Sequence, residues 1–168
     1  MTKRSVIRID NNLNQVFSVR IQAGAGEYEN GFVGKLGNYE ENNLDVQALE
    51  QATAGDSIVV VANPAIVYDN ARLGTGLETD YFMTEGEVVR AYVPEVGKLL
   101  SISLDGFKVE PAKGNIIVPD GKQLTVAAEA PATGTYFEVV KIEKVGGALA
   151  LNVTNGGTTY AVLKTKRV

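Results

Sequence analysis

Lys98-Leu99-Leu100-Ser101-Ile102-Ser103-Leu104 alternates: Leu100, Ile102 and Leu104 fall on one side of an extended chain, Leu99, Ser101 and Ser103 on the other. A period of two residues marks a strand with one face toward a core and one toward water. Pro94-Glu95-Val96-Gly97 precedes the run and Asp105-Gly106 follows it, and both are turn chemistry. Working outward, similar runs occur at 86–93, 115–118, 123–128, 136–145, 149–153 and 158–164. Pro119-Asp120-Gly121, residues 130–134, Gly146-Gly147 and Asn155-Gly156-Gly157 separate them. Short strands at near-regular spacing predict a small barrel or sandwich, most regular over 81–168.

Nearer the N-terminus, Ser57-Ile58-Val59-Val60-Val61-Ala62 is apolar on both sides, which predicts a strand buried on both faces and stopped by Pro64. Phe17, Val19 and Ile21 alternate with Ser18, Arg20 and Gln22, a strand with one wet face. A short strand at 5–9 precedes it, with a turn at Asp10-Asn11-Asn12 between them. Gly24-Ala25-Gly26 reads as a hinge, dividing an N-terminal arm, 1–26, from a β-rich body, 27–168. In the body a short strand is expected around Phe32-Val33 and tight turns near Gly37-Asn38, and 69–80 reads as a surface loop. Residues 44–52 form the one candidate helix, with Asn43 as its cap and Gly55 as its end, although Leu44, Val46 and Ala48 also alternate as a strand would. The fold class expected is mainly β, a small barrel or sandwich with at most one short helix.

The chain has 168 residues, 45% of them apolar and 21% charged, a composition that folds. It contains no cysteine and no histidine, which removes thiolate and imidazole catalysis, disulfides and zinc sites of the usual kind. No run of 18 apolar residues occurs, and the start leads into no apolar signal segment, so a cytoplasm-like compartment and no membrane partner are expected. The net charge of −4 is unevenly spread. Residues 1–23 carry four bases against one acid, 24–97 three against thirteen, and 98–168 nine against six. Two basic ends flank an acidic middle, which folds back on itself or meets a partner of opposite sign. The basic residues cluster at the two ends without the long stripe and interleaved aromatics of a nucleic-acid surface, and the total charge is negative, so no nucleic-acid partner is expected.

No motif names a reaction. Gly31-Phe32-Val33-Gly34-Lys35 lacks the spacing of a phosphate loop, and Gly74-Thr75-Gly76 lacks a third glycine and a strand–helix setting. Carboxylates at Glu40, Glu41 and Asp45 and at Glu78 and Asp80 offer oxygen ligands without the spacing of a calcium loop. Glu85 and Glu87 share a strand face and read as a solvent-facing pair. Asn152-Val153-Thr154 matches a glycosylation acceptor with no secretion signal before it. No catalytic residue, cofactor site or metal site is therefore assigned.

Three stretches carry a resemblance: Glu27-Tyr28-Glu29-Asn30-Gly31-Phe32-Val33-Gly34-Lys35-Leu36, Gly55-Asp56-Ser57-Ile58-Val59-Val60-Val61-Ala62-Asn63-Pro64, and Glu85-Gly86-Glu87-Val88-Val89-Arg90-Ala91-Tyr92. With 97–104 and 114–122 they resemble the head decoration, or capsid cement, proteins of tailed bacteriophages. The resemblance spans roughly 27–168 and consists of strand and turn patterning. It implies a non-catalytic virion protein, a homo-trimer bound to the major capsid protein on the outer shell. Under it, Lys3, Arg4 and Arg8 and the tail residues Lys164, Lys166 and Arg167 are the expected contacts to capsid or adjoining subunits. Another virion part, a tail tube or head fibre, and a carbohydrate-binding β module are the alternatives.

Overall fold

The computed structural model describes residues 3–9, 15–66, 78–146 and 157–168. Eleven strands run through them: β1 (Ile7–Arg8), β2 (Val16–Ile21), β3 (Val33–Glu40), β4 (Asn43–Glu50), β5 (Val59–Val61), β6 (Val88–Tyr92), β7 (Leu99–Ser103), β8 (Ile116–Asp120), β9 (Gln123–Ala127), β10 (Thr135–Val145) and β11 (Thr158–Arg167). The only helical pieces among the described residues are single 3-10 turns, Glu78–Asp80 and Leu104–Gly106. The fold is mainly β.

The strands form two bodies. β2-β4-β3-β5-β6 closes into a barrel, while β1-β7-β11-β10-β8-β9 is an open six-stranded sheet. Pairing is antiparallel except between β2 and β4, which run parallel. The barrel interior is filled by Val19, Ile21, Tyr28, Leu49, Val59, Val61, Met83, Val89 and Ala91. A second core joins the inner face of the open sheet, Leu100, Ile102, Ile117, Phe137, Val139, Ala161 and Leu163, to Val33, Ala52, Ile58 and Val60 of the barrel wall. Strand β5 explains its own composition: Val59 and Val61 point into the barrel while Val60 points into the core beneath the sheet, and all three are buried.

Where the sheet meets the barrel, the turn between β8 and β9 is the joint. Gly121 sits there at φ +73°, in the left-handed region that glycine adopts at little cost. It exchanges backbone bonds with Ala52 at 2.8 and 3.0 Å. Lys122 beside it accepts from Val33 N–H through its carbonyl at 2.9 Å and donates its ammonium to the carbonyls of Ala25 and Glu27. The same ammonium lies 5.7 Å from the Tyr28 ring centre.

Three sequence expectations change. The candidate helix at 44–52 is strand β4, because Gln47 and Leu49 pair with Val19 and Ile21 of β2 while Leu36 faces Leu49 from β3. Pairing on both sides overrides the helical spacing of Leu44 and Ala48. Residues 16–21 of the expected arm are a barrel strand between β4 and β6, with Val19 and Ile21 fully buried, and the described residues 3–9 lie outside that barrel. The closed barrel spans 16–92, and from 99 onward the chain builds the open sheet. The strands expected near 86–93, 98–104, 115–118, 123–128, 136–145 and 158–164 are present as β6 to β11. The strand at 149–153, Gly74-Thr75-Gly76 and Asn152-Val153-Thr154 lie outside the described residues.

Candidate functional site

The six cations singled out by sequence separate into two groups. Residues opposite one another in an antiparallel pair share a sheet face. Arg8 faces Ser101, which faces Val162; Leu99 faces Lys164, which faces Glu138, which faces Ile116. Leu100, Ile102, Leu163 and Phe137 occupy the other face, in the core. Lys166 lies two residues beyond Lys164 on β11, opposite Tyr136. Arg8, Lys164 and Lys166 therefore converge on the solvent face of the open sheet from opposite ends of the chain.

A fourth cation joins them through a bulge. Val139 faces Leu163 but Lys141 faces Val162, so Val140 is an extra residue and the alternation flips. Without it Lys141 would point toward the core with Val139; with it, Lys141 and Glu143 stand on the outer face. Sequence alternation alone assigns Lys141 to the wrong side.

The electrostatics of this face leave it positive. Lys166 is ion-paired with Glu138, whose carboxyl it holds below the usual range by hydrogen bonding, and Glu138 in turn raises Lys166. Lys141 lies 2.5 Å from Glu143. Arg8 stacks its guanidinium 4.8 Å from the Tyr160 ring centre, which holds it flat on the sheet and leaves its charge exposed at the rim. Lys164 is exposed beside Glu138, which Lys166 already occupies. Four cations thus stand against two carboxylates, with exposed Leu99 among them.

The remaining three are placed elsewhere. Arg4 is engaged within the molecule: its guanidinium reaches Glu27 at 2.7 Å and Glu29 at 2.9 Å and lies 4.7 Å over Phe82. The bond it donates to Glu29 foremost raises its pKa. Its role is to strap 3–9 to the barrel side, helped by Ser5 N–H donating to Glu29, while Val6 N–H donating to Ser103 Oγ fastens the same segment to β7 of the open sheet. Arg167 is on the opposite parity of β11 and donates to Thr135 Oγ1 at the sheet's end. Lys3 is exposed at a hollow lined by Leu104, Asp105 and Thr158.

The acidic candidates are taken up by structure. Glu40 receives two bonds from Arg20, at 2.5 and 3.1 Å. Glu85 accepts from the N–H groups of Gly24 and Gly26, which hold its carboxyl below the usual range and fasten the 24–26 turn. Glu87 accepts from Thr84. Among the described residues no group of three carboxylates is placed to hold a metal ion. Gly34, in the stretch compared with a phosphate loop, is a packing glycine: a Cβ there would lie 2.5 Å from Leu49 Cδ1 and 2.8 Å from the Glu50 carbonyl. In the hollow between the arm and the barrel, Asn30 and Asn63 bond each other and Asn63 donates to Tyr81, so these amides serve one another. No helix of the described residues is long and apolar enough to cross a membrane.

The chemistry that this arrangement offers is attraction over a flat, cationic, partly apolar face. Comparison with protein-family models, with curated proteins and with solved structures finds no match.

Proposed function

We propose that this chain is a non-catalytic structural protein of a tailed-phage virion, a decoration or cement protein that binds the major capsid protein on the outer surface of the head. The observation that carries the reading is the convergence of Arg8, Lys164 and Lys166, with Lys141, on one open sheet face. A decoration protein acts by shape and repeated weak contacts, and many copies on a shell make each modest contact count. Fixed strands hold the cations at set spacings, so little side-chain freedom beyond the lysine stems is lost on docking. In this reading the sheet face meets acidic capsid surface, Arg4 and the arm hold the two bodies together, and the copies associate as a trimer at three-fold positions of the shell. The sequence resemblance over roughly 27–168 supports the same assignment.

Co-sedimentation with purified, DNA-free phage heads tests it. The reading expects saturable binding that weakens as salt rises, because the contact is electrostatic. Absence of binding at low salt, or turnover of a small molecule by the pure protein, contradicts it.

A further inference from the structure

We infer that two copies of this chain pair through the open edge of β10, in antiparallel register centred on Ile142. The edge begins where β8 ends. Val139 makes the last bonds to that side, donating to the Asn115 carbonyl at 3.0 Å and accepting from Gly114 N–H at 2.8 Å. From Val140 to Val145 β10 is bonded to β11 alone among the described strands. Alternate residues along this stretch present backbone donors and acceptors outward, and an edge of that kind is a template for another strand. Val140 and Ile142 on it are 39% and 37% exposed.

The sequence of the edge, Val140-Lys141-Ile142-Glu143-Lys144-Val145, selects both the partner and the register. Two antiparallel copies are related by a two-fold axis perpendicular to the sheet, which keeps each face on its own side. Facing residues must then share a face, so the axis passes through a residue and never between two. Centred on Lys141 or Lys144, a lysine faces its own copy. Centred on Glu143, a carboxylate does. Like charges directly opposite are destabilising. Centred on Ile142, the pattern is complementary: Ile142 faces Ile142, Lys141 faces Glu143 twice, and Val140 faces Lys144.

Lysine on an edge strand ordinarily discourages pairing. Here Lys141, Glu143 and Lys144 each disfavour the register centred on themselves, and Lys141 with Glu143 favours the one centred on Ile142. Lys141 and Glu143 already lie on one face at 2.5 Å, so association exchanges one ion pair within each strand, two in all, for two across the axis. The product is one sheet of six strands from each copy, with both basic faces looking the same way. This pairing is independent of what that face binds.

The chain has no cysteine, which makes single-cysteine cross-linking clean. Facing Cα atoms in an antiparallel pair lie about 4.5–5.5 Å apart, within disulfide reach. Ile142→Cys is expected to form a covalent dimer on mild oxidation. Val140→Cys and Lys144→Cys are each expected to stay uncrosslinked alone and to link when mixed. By sedimentation, Lys141→Glu and Glu143→Lys should each weaken dimerisation roughly tenfold, and the double exchange should restore it. Val140, Lys141, Ile142 and Lys144 are exposed and Glu143 is half-buried, so an unchanged melting temperature verifies the fold of each variant. Wild-type protein that stays monomeric at high concentration, equal cross-linking at all three positions, or a double exchange that fails to restore pairing overturns the inference.

Discussion

In the barrel every strand has a neighbour on both sides, whereas the open sheet ends at β1 and β9 and, among the described strands, leaves 140–145 of β10 beside β11 alone. The barrel also uses its charges internally: Arg20 with Glu40, Glu85 on the 24–26 turn, and Arg4 with Glu27 and Glu29. The sheet keeps Arg8 and Lys164 facing water. One body is closed in hydrogen bonding, and the other keeps an open edge. The difference shows where a further strand can pair: closure removes edges, and the open sheet retains them.

The two bodies nevertheless share a core, which can be broken first. Leu163 is fully buried in the cluster that also holds Val33 and Val60 of the barrel wall. Leu163→Ala should cost about 3 kcal/mol and accelerate hydrogen exchange in β2 as well as in β7. Exchange accelerated in the sheet alone would show two independent units.

Next in size is Gly134, at φ +87°, where a Cβ would fall 2.3 Å from the Gly55 carbonyl of the barrel's 53–56 turn. Gly134→Ala combines backbone strain with a clash against main chain and should cost about 2 kcal/mol or more. A denaturant midpoint equal to that of wild type would refute the close approach. Arg4→Ala, which removes the strap between arm and barrel, should cost about 1 kcal/mol, with the Val6 and Ser103 amides exchanging faster. Retained protection at both would mean that the backbone bonds alone hold the arm.

The smallest effect is on acid stability, and both bodies contribute. Glu40, Asp56, Glu85 and Glu138 all have lowered pKa values: Glu40 through Arg20, Asp56 through the Thr53 N–H, Glu85 through the Gly24 and Gly26 amides, Glu138 through Lys166. Carboxylates depressed in the folded state stabilise above their unfolded pKa, and that contribution is lost as pH falls through the folded values. Stability should therefore be flat near neutrality and decline below about pH 4. Glu138→Gln should flatten the decline slightly, whereas an unchanged profile would mean its pairing with Lys166 is too exposed to matter. At the alkaline end, burial pushes the Tyr28 hydroxyl up to about 12, so the barrel loses stability as pH rises from 10 toward that value.

Much of this was legible from local chemistry. Turns such as Asp120-Gly121 fix hairpins within a few residues, and Val59-Val60-Val61 announces burial on both faces because an extended chain offers no third direction. What stayed hidden depended on distant pairing. β4 carries helix and strand periods together, and only its parallel alignment with β2 decides between them. Gly24 and Gly26 make a turn that Glu85 fastens, not a hinge, and β2 before it is a barrel strand. Of the candidate contacts, Arg8, Lys164 and Lys166 meet because β1, β7 and β11 are neighbours, a non-local fact, while the Val140 bulge concealed Lys141.

Charge reversal on the two bodies in parallel gives the most direct test of where partners dock. Arg8→Glu with Lys164→Glu alters the open sheet face, and Arg90→Glu alters an exposed cation on the outside of the barrel. In co-sedimentation with phage heads, the sheet reversal should reduce affinity roughly tenfold or more and the barrel reversal less than about twofold, with melting temperatures unchanged. Equal losses from both, or a loss from the barrel variant alone, would contradict docking through the sheet.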